Sequence, residues 1–302
     1  MREDYNLYPL HVFRTVARFG SVTRAAQELC ISQPAVSAHL KTMGDNYRET
    51  LLERTPHGML LTPAGAAVAE HANRIFAVLA DMPSAVDAAR SEVKGNITLA
   101  ASSTPGTYLA PRLLRRFQDR YPGAEPTLLV GDSRDVTSWL REYRVSLGVV
   151  GETAMDATLI REEIGQDELR LVTAAEDGLC RITAVTGKDL SGRTLFVREQ
   201  GSSTRSGSEA LLGDWMNDFA RVVELSNTEA IKQTVAAGLG VAVLSSWATR
   251  LEEQAGLLSP VADARLRRSR RFYVVRRADR TLVGTAAALW DCILNCPRNP
   301  PC

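Results

Sequence analysis

The 302-residue sequence is short of the groups from which most catalytic sites are made. It has only four histidines, His11, His39, His57 and His71, and all lie within the first 71 residues. A Ser-His-Asp arrangement or a histidine-based metal site is therefore excluded from the remaining three quarters of the chain. GxSxG, HExxH and Walker phosphate loops are absent as well. The expectation is a protein that is not an enzyme and carries no cofactor and no metal. Cysteine is sparse and odd in number (Cys30, Cys180, Cys292, Cys296 and Cys302), with no CxxC pair. This is no disulfide framework, and it fits a reducing compartment. The first residues, MREDYNLYPL, include acids and no apolar stretch of the signal-peptide kind. No apolar run approaches the ~20 residues that span a bilayer. Internal repeats and low-complexity tracts are missing too. These absences predict a soluble cytoplasmic protein with no membrane partner. Net charge is also lacking: the formal value is +1. A near-neutral balance neither demands nor excludes nucleic acid, because only the local charge of a reading face matters.

What is present is enough apolar content (45%) and length for two or three packed domains. Leu7, Leu10, Val12, Phe13, Val16 and Ala17 form an apolar stripe at helical spacing, and Gly20 is a suitable stop. Thr23 is a candidate cap for a short second helix, 24–29. Ser32 is a candidate cap for a third, with Pro34 in its first turn, where a missing N–H costs little. Two short helices joined this way make a helix-turn-helix pattern. Residues 52–65 contain the turn signal Pro56-His57-Gly58 and read as a small β-hairpin, a wing.

From Ala64 to about Ser91 one long helix is expected. Val68, Ile75, Met82 and Ala89 recur every seven residues, as do Ala72, Leu79, Val86 and Val93. That is the seam of a two-helix coiled coil, which favours self-pairing over packing within one chain. Pro83 predicts a kink or short break. Beyond Lys94-Gly95, strand-like segments (96–101, 126–130, 145–150, 169–174, 194–198, 221–225, 239–244 and 271–276) alternate with helix-like ones (108–120, 133–143, 204–218, 228–237, 246–254 and 282–295). Such alternation implies α/β layers with mostly parallel sheets. About 200 residues of it suggests two lobes.

A helix that reads a major groove needs small or hydrogen-bonding side chains near its start. Ser32, Gln33, Pro34, Ala35, Ser37 and His39 supply such a start. Ser21 and Thr23 are placed to bond a phosphate. Lys41, Arg54 and His57 are placed to meet the flanking backbone. Residues 1–65 hold seven Lys/Arg against six Asp/Glu, so binding to double-stranded DNA should lean on dimerisation. The plainer reading of Ser32 and Pro34 alone is an ordinary helix start.

The run 13–43, followed by 51–65, resembles the LysR-type transcriptional regulators. The resemblance rests on Gly20-Ser21, Ala25-Ala26, Ser32-Gln33-Pro34-Ala35-Val36-Ser37, Glu53-Arg54-Thr55, Leu61-Thr62 and Gly65. It implies α/β architecture with an all-α N-terminal part: a winged helix-turn-helix over 1–63, a linker and dimerisation helix over 64–94, and an effector-binding domain over 95–302. The last would resemble a type 2 periplasmic binding protein, with lobe I at 95–163 and 269–302 and lobe II at 164–268. It also implies homodimers that assemble into homotetramers, with RNA polymerase as a candidate partner. The sequence departs from the family after the reading helix, where Met43-Gly44-Asp45-Asn46-Tyr47-Arg48 puts Arg48 in the place of a helix-ending Gly. Leu52 and His57 replace a usual Phe and a common wing Arg, and Ser146 stands where an Asp is common. A monomeric binding protein of the periplasmic kind is the rival reading, and the missing signal peptide and the heptads oppose it.

Strand–polar loop–helix junctions occur at Ser102-Ser103-Thr104, at Gly201-Ser202-Ser203-Thr204-Arg205 and at Asn227. Free N–H groups at such places favour an anion, and open α/β sheets bind ligands at the carboxyl ends of strands. These nine residues are the candidate site for a small anionic effector, a carboxylate, phosphate or inorganic oxyanion. The plainer reading of each is a helix cap. Residues 265–280 hold eight arginines, for which a solvated strand edge is the default. Contact with DNA or an acidic subunit face is the alternative. Cys292 and Cys296 are four apart on a predicted helix. They read as small buried hydrophobes before they read as a redox pair, and Cys302 as an exposed terminal thiol.

Overall fold

Thirteen residues of an amphipathic helix open the structure, a computed structural model that describes residues 6–152 and 156–296. Residues up to Met82, with Glu142–Arg144, form one compact unit, and the remainder from Pro83 forms a second.

The first unit holds α1 (Leu7–Phe19), α2 (Val22–Glu28), α3 (Gln33–Tyr47), β1 (Leu52–Thr55), β2 (Gly58–Leu61) and the part of α4 (Pro63–Ala89) up to Met82. Local chemistry sets every boundary. Gly20 ends α1 at φ 60°, the left-handed conformation a glycine takes without strain. The cap of α2 is Ser21, whose hydroxyl accepts from Arg24 N–H, so the expected cap at Thr23 lies two residues too late. Ser32 caps α3 by accepting from Ala35 N–H at 3.3 Å. Arg48 ends α3 at φ 54°, a left-handed position held without glycine. β1 and β2 pair antiparallel around Pro56-His57 and make the wing. Val12, Val16, Ala25, Ala26 and Val36 form a core between the first three helices.

α4 is continuous through Pro83, so the short break expected there does not occur. It stops at Ala89. Val93, expected on the heptad seam, lies beyond the helix and packs against a core of the second unit.

The second unit contains β3 (Gly95–Ser102), α5 (Ser103–Tyr108), α6 (Ala110–Arg120), β4 (Ala124–Gly131), α7 (Ser133–Arg141), β5 (Leu147–Gly151) and β6 (Leu159–Ala174). Then follow α8 (Gly187–Leu190), β7 (Thr194–Val197), α9 (Ser203–Leu212), β8 (Arg221–Glu224), α10 (Thr228–Ala236), β9 (Val241–Ser245), α11 (Ser246–Gln254), β10 (Leu258–Pro260), β11 (Arg267–Arg277) and α12 (Gly284–Leu294). The strands form one sheet in the order β4-β3-β5-β11-β6-β9-β7-β8, with β10 added onto β6. Its two flanks are parallel, as expected, but its middle is antiparallel. The cause is topological. The chain passes from one flank to the other along β6 and returns along β11, so these two strands lie side by side in opposite directions. They pair from Leu159↔Arg277 to Arg170↔Arg267, with a bulge between Phe272 and Tyr273.

Strand alternation sends side chains to both faces, and helices cover each. On one flank Leu99, Leu147 and Val149 pack under Phe117 of α6 and Leu289 of α12, while Ala100 and Val150 pack under Val136 and Leu140 of α7. On the other, Leu171, Leu195 and Val243 meet Leu190 of α8 and Leu212 of α9, while Val172, Phe196 and Ala242 meet Ile231 and Val235 of α10. The lobes thus have separate cores on a shared sheet.

The arginine-rich segment 265–280 is not a solvated edge. Its strand, β11, lies in the interior of the sheet between β5 and β6. Arg270 and Arg277 are buried, 2% and 7% exposed. Arg277 pairs with Asp279, Arg265 with Asp263 and Arg271 with Glu163. Cys292 is buried in α12, but Cys296 lies past the end of that helix, where its Sγ accepts from Arg116. The two cysteines still face the same core, although only Cys292 lies on the helix. Cys302 lies outside the described residues.

Candidate functional site

α3 has two faces set by its period. Val36, Leu40 and Met43 turn inward, whereas Gln33, Ser37 and Lys41 (i, i+4, i+8) are exposed. Ser32, Pro34 and Ala38 are exposed beside them, and Ala35 is half-buried. Thr23 Oγ1 donates to Gln33 Oε1 at 3.3 Å, which brings the starts of α2 and α3 together. His39 behaves differently from its neighbours. It is half-buried and packs edge-on against Tyr8, ring centroids 5.1 Å apart. Arg54 on β1 and His57 at the wing's tip are exposed, and Met59 N–H donates to Gly20 O at 2.8 Å, tying the wing to the α1–α2 turn.

The polar loops of the second unit come together at the carboxyl ends of β3 and β7. The hydroxyls of Ser102, Ser103, Thr104, Ser202 and Thr204 are already engaged. Gly151 N–H donates to Ser102 Oγ at 3.3 Å. Ser103 Oγ donates to Gly131 O and accepts from Arg198 Nη2 at 3.1 Å. Thr104 and Thr204 each accept from Arg270, through Nη2 at 3.2 Å and Nη1 at 3.0 Å. Ser202 caps α9 by accepting from Thr204 N–H. Gly201 stands at φ 102°, and a Cβ there would lie 2.6 Å from the Asp132 carboxylate. The β7–α9 loop therefore lies against the turn between β4 and α7.

Two expected contributors stand elsewhere. Arg205 donates to Glu209 at 2.7 Å, to Glu224 at 2.8 Å and to the carbonyl of Arg198. Asn227 caps α10 by accepting from Glu229 and Ala230 N–H. Neither lines the cavity described next.

A cavity of about 540 Å³ opens beside the closed loops, between α7 and α9 and over β11. Ser133, Gly201 and Ser203 line it. So do five arginines (Arg134, Arg141, Arg161, Arg268 and Arg270) against two carboxylates, Glu152 and Asp156. Asp156 is occupied by Arg141 at 2.6 Å. Burial acts to raise the Asp156 carboxyl, but hydrogen bonds from Thr158 and Arg141 outweigh it and hold the group below its usual range. Arg161 stacks over Tyr273 at 4.6 Å. Arg134 and Arg268 have no carboxylate partner among the described residues. The hydroxyl of Ser133, a residue 2% exposed, has no hydrogen-bond partner among them either. The arrangement can accept negative charge and a hydrogen-bond acceptor.

Two family descriptions match the chain: "Bacterial regulatory helix-turn-helix protein, lysR family" over residues 7–66 and "LysR substrate binding domain" over 90–296. The chain belongs to the LysR family of transcriptional regulators. The HTH-type transcriptional regulator CbbR of Rhodospirillum rubrum is 34% identical over 284 residues, covering 94% of each chain. The regulatory domain of Synechocystis CcmR in complex with 2-PG superposes with TM-score 0.61 at 27% identity, covering 67% of this chain and 96% of that one. A full-length OxyR from Pseudomonas aeruginosa shares the fold at TM-score 0.70 and 19% identity, covering 99% and 100%. The LysR chain described here is accordingly a DNA-binding transcription regulator with an effector-binding domain, not an enzyme. No helix among its described residues is long and apolar enough to cross a membrane.

Sequence reasoning missed the cationic part of this LysR site. Arg134, Arg161 and Arg198 carry no expectation in the sequence, Arg268 and Arg270 enter it only within the arginine cluster 265–280, and Arg205 is the one arginine expected at the site. The available signal was the density of arginine in 265–280, on both sides of the short apolar run Phe272-Tyr273-Val274-Val275.

Proposed function

We propose that this LysR-family regulator is modulated by a small organic anion bound in the cavity between the two lobes. The observation that carries this is the excess of five arginines over two carboxylates around one cavity. Its volume favours an organic ligand over an inorganic oxyanion, since ligand pockets run from about 300 to 1,000 Å³. The 2-PG bound to the CcmR regulatory domain supplies a first compound to try.

We further propose the division read from the sequence: DNA-reading domain 1–63, linker 64–94 and effector domain 95–302. Two protomers would pair through α4 and place two α3 helices in successive major grooves, with Ser32, Gln33, Ser37 and Lys41 toward the DNA. Ile75, Val78, Leu79 and Met82 support the pairing. They recur at i, i+3, i+4 and i+7 and are 39–61% exposed, an apolar stripe that water would otherwise meet. A cytoplasmic homotetramer that acts on RNA polymerase completes the reading.

The test is a nuclease footprint of the full-length protein on DNA upstream of its own gene, at physiological salt, with and without 2-PG and a panel of small organic acids. Protection of two dyad-related halves that an acid alters is the expected result. Failure to select any DNA from the whole genome would overturn the DNA reading. No calorimetric binding of any acid would overturn the anion reading.

A further inference from the structure

Arg270 and Asp167 stand directly opposite each other on β11 and β6, the two strands that join the lobes. Both side chains are out of water, 2% and 0% exposed. The Asp167 carboxylate accepts from Arg270 Nε at 2.8 Å and contacts Nη2 at 2.7 Å. Its other oxygen accepts from Ser245 at 2.9 Å and Ser246 at 3.2 Å. With its charge balanced in this way, the guanidinium still reaches outward in two directions, to Thr104 on one lobe and Thr204 on the other. Arg198 makes a second tie, from β7 to Ser103.

We propose that Arg270 is a latch that holds the two lobes closed and couples the cavity to their opening. The physical reasons are three. A buried ion pair fixes the guanidinium plane, because moving either charge would leave the other uncompensated. Both acceptors are neutral hydroxyls, so the latch can release without exposing a charge. The same residue lines the cavity, so whatever occupies that space meets the group whose two remaining contacts define the closed arrangement. Arg270 is thus a positioning residue. An occupant that favours the closed arrangement binds in proportion to the fraction of molecules already closed. This last step rests on the anion reading above, whereas the latch itself does not.

The test removes the acceptors and keeps the ion pair. Thr104→Val and Thr204→Val, singly and together, preserve side-chain shape. Hydrogen exchange in the full-length protein without ligand reads the opening of residues 103–108 and 200–206. Each substitution should speed exchange in the loop of the opposite lobe as well as its own, by about fivefold, and the pair by about 25-fold. A merely local role would leave the opposite loop unchanged. Arg270→Met combined with Asp167→Leu removes latch and charge together and should give the same opening. Unchanged exchange across the cleft in all of these variants overturns the latch. Calorimetry with 2-PG and the organic-acid panel forms a separate arm. Binding weakened in step with the exchange result supports the coupling, and unweakened binding overturns it. Failure of the wild type to bind any acid removes the anion reading and leaves the exchange data to decide the latch.

Discussion

A Cβ on Gly58 would overlap the carbonyl oxygen of Gly20, the oxygen that accepts from Met59 N–H. The wing is hydrogen-bonded to the turn that introduces the helix-turn-helix, and it can approach that turn only because residue 58 has no side chain. Gly58 also sits at φ 125°, which L side chains rarely adopt. Gly58→Ala should therefore move the wing away from α2 and weaken DNA binding by tenfold or more. Fluorescence anisotropy with an operator duplex measures this, and the thermal transition of the effector domain should not change. Wild-type affinity in the alanine variant would mean the wing takes no part in docking.

Gln33 and Ser32 separate reading from capping. Ser32→Ala removes a helix cap, a loss of about 1 kcal/mol that denaturation would register. Gln33→Ala leaves the cap intact and removes an exposed amide held by Thr23. It should lower the affinity for the operator while stability and dimerisation stay as they are. Equal loss of affinity for operator and random duplex would assign Gln33 to backbone contact instead of base reading.

Arg134 and Arg268 contribute uncompensated charge to the cavity. Arg134→Gln with Arg268→Gln should abolish the footprint change caused by an anionic ligand and leave ligand-free DNA binding as it is. Because no described carboxylate depends on either arginine, folding should not suffer. A full ligand response from the double variant would move the site elsewhere.

His11 gives the DNA-binding unit a defined pH dependence. Burial holds its imidazole below the ordinary value of 6.5, and the charges of Arg14 and Arg18 push in the same direction. The unfolded chain therefore takes up a proton first. As pH falls below about 6.5 the unfolded state is favoured, so this contribution to stability is complete above that pH and is lost as pH drops toward the lowered folded value. Urea midpoints of residues 1–82 within the whole protein, followed by exchange, should fall in that window. His11→Phe should remove that component of the slope and retain the contact with Phe76, whose ring centroid lies 5.2 Å away.

Much of the N-terminal unit was legible because its boundaries are local. Ser32, Gly20 and the hairpin turn each act on residues within one helical turn. The displacement of one cap from Thr23 to Ser21 is the scale of error that such chemistry allows. Arg48, noted as an unusual helix end, does adopt the left-handed conformation that glycine would take more cheaply. The candidate site was harder to read, since it depends on partners far apart in the chain. Arg270 and Asp167 are 103 residues apart, and Arg270 and Thr104 are 166 apart. The first half of β6 is rich in Arg, Glu, Gln and Asp, and no apolar alternation announces a strand there. Only its pairing with the equally charged β11 accounts for it. Arg205, the arginine expected at the site, is claimed instead by Glu209 and Glu224.

The pairing of β6 with β11 along both lobes sets a rule on length as well as on composition. One unmatched residue, Ile164, is already taken up by the bulge at Phe272/Tyr273. A residue inserted elsewhere in one of these strands, with neither a bulge nor a matching change in the other strand to absorb it, would turn the side chains beyond it to the opposite face. Asp167 would then face away from Arg270, and both charges would lack a partner in the interior. Turns at the outer rims of the lobes, such as the one between β8 and α10, face no such restriction. Natural variation in loop size should therefore accumulate at the outer edges of this sheet, while the ribbon in its interior keeps its residue count.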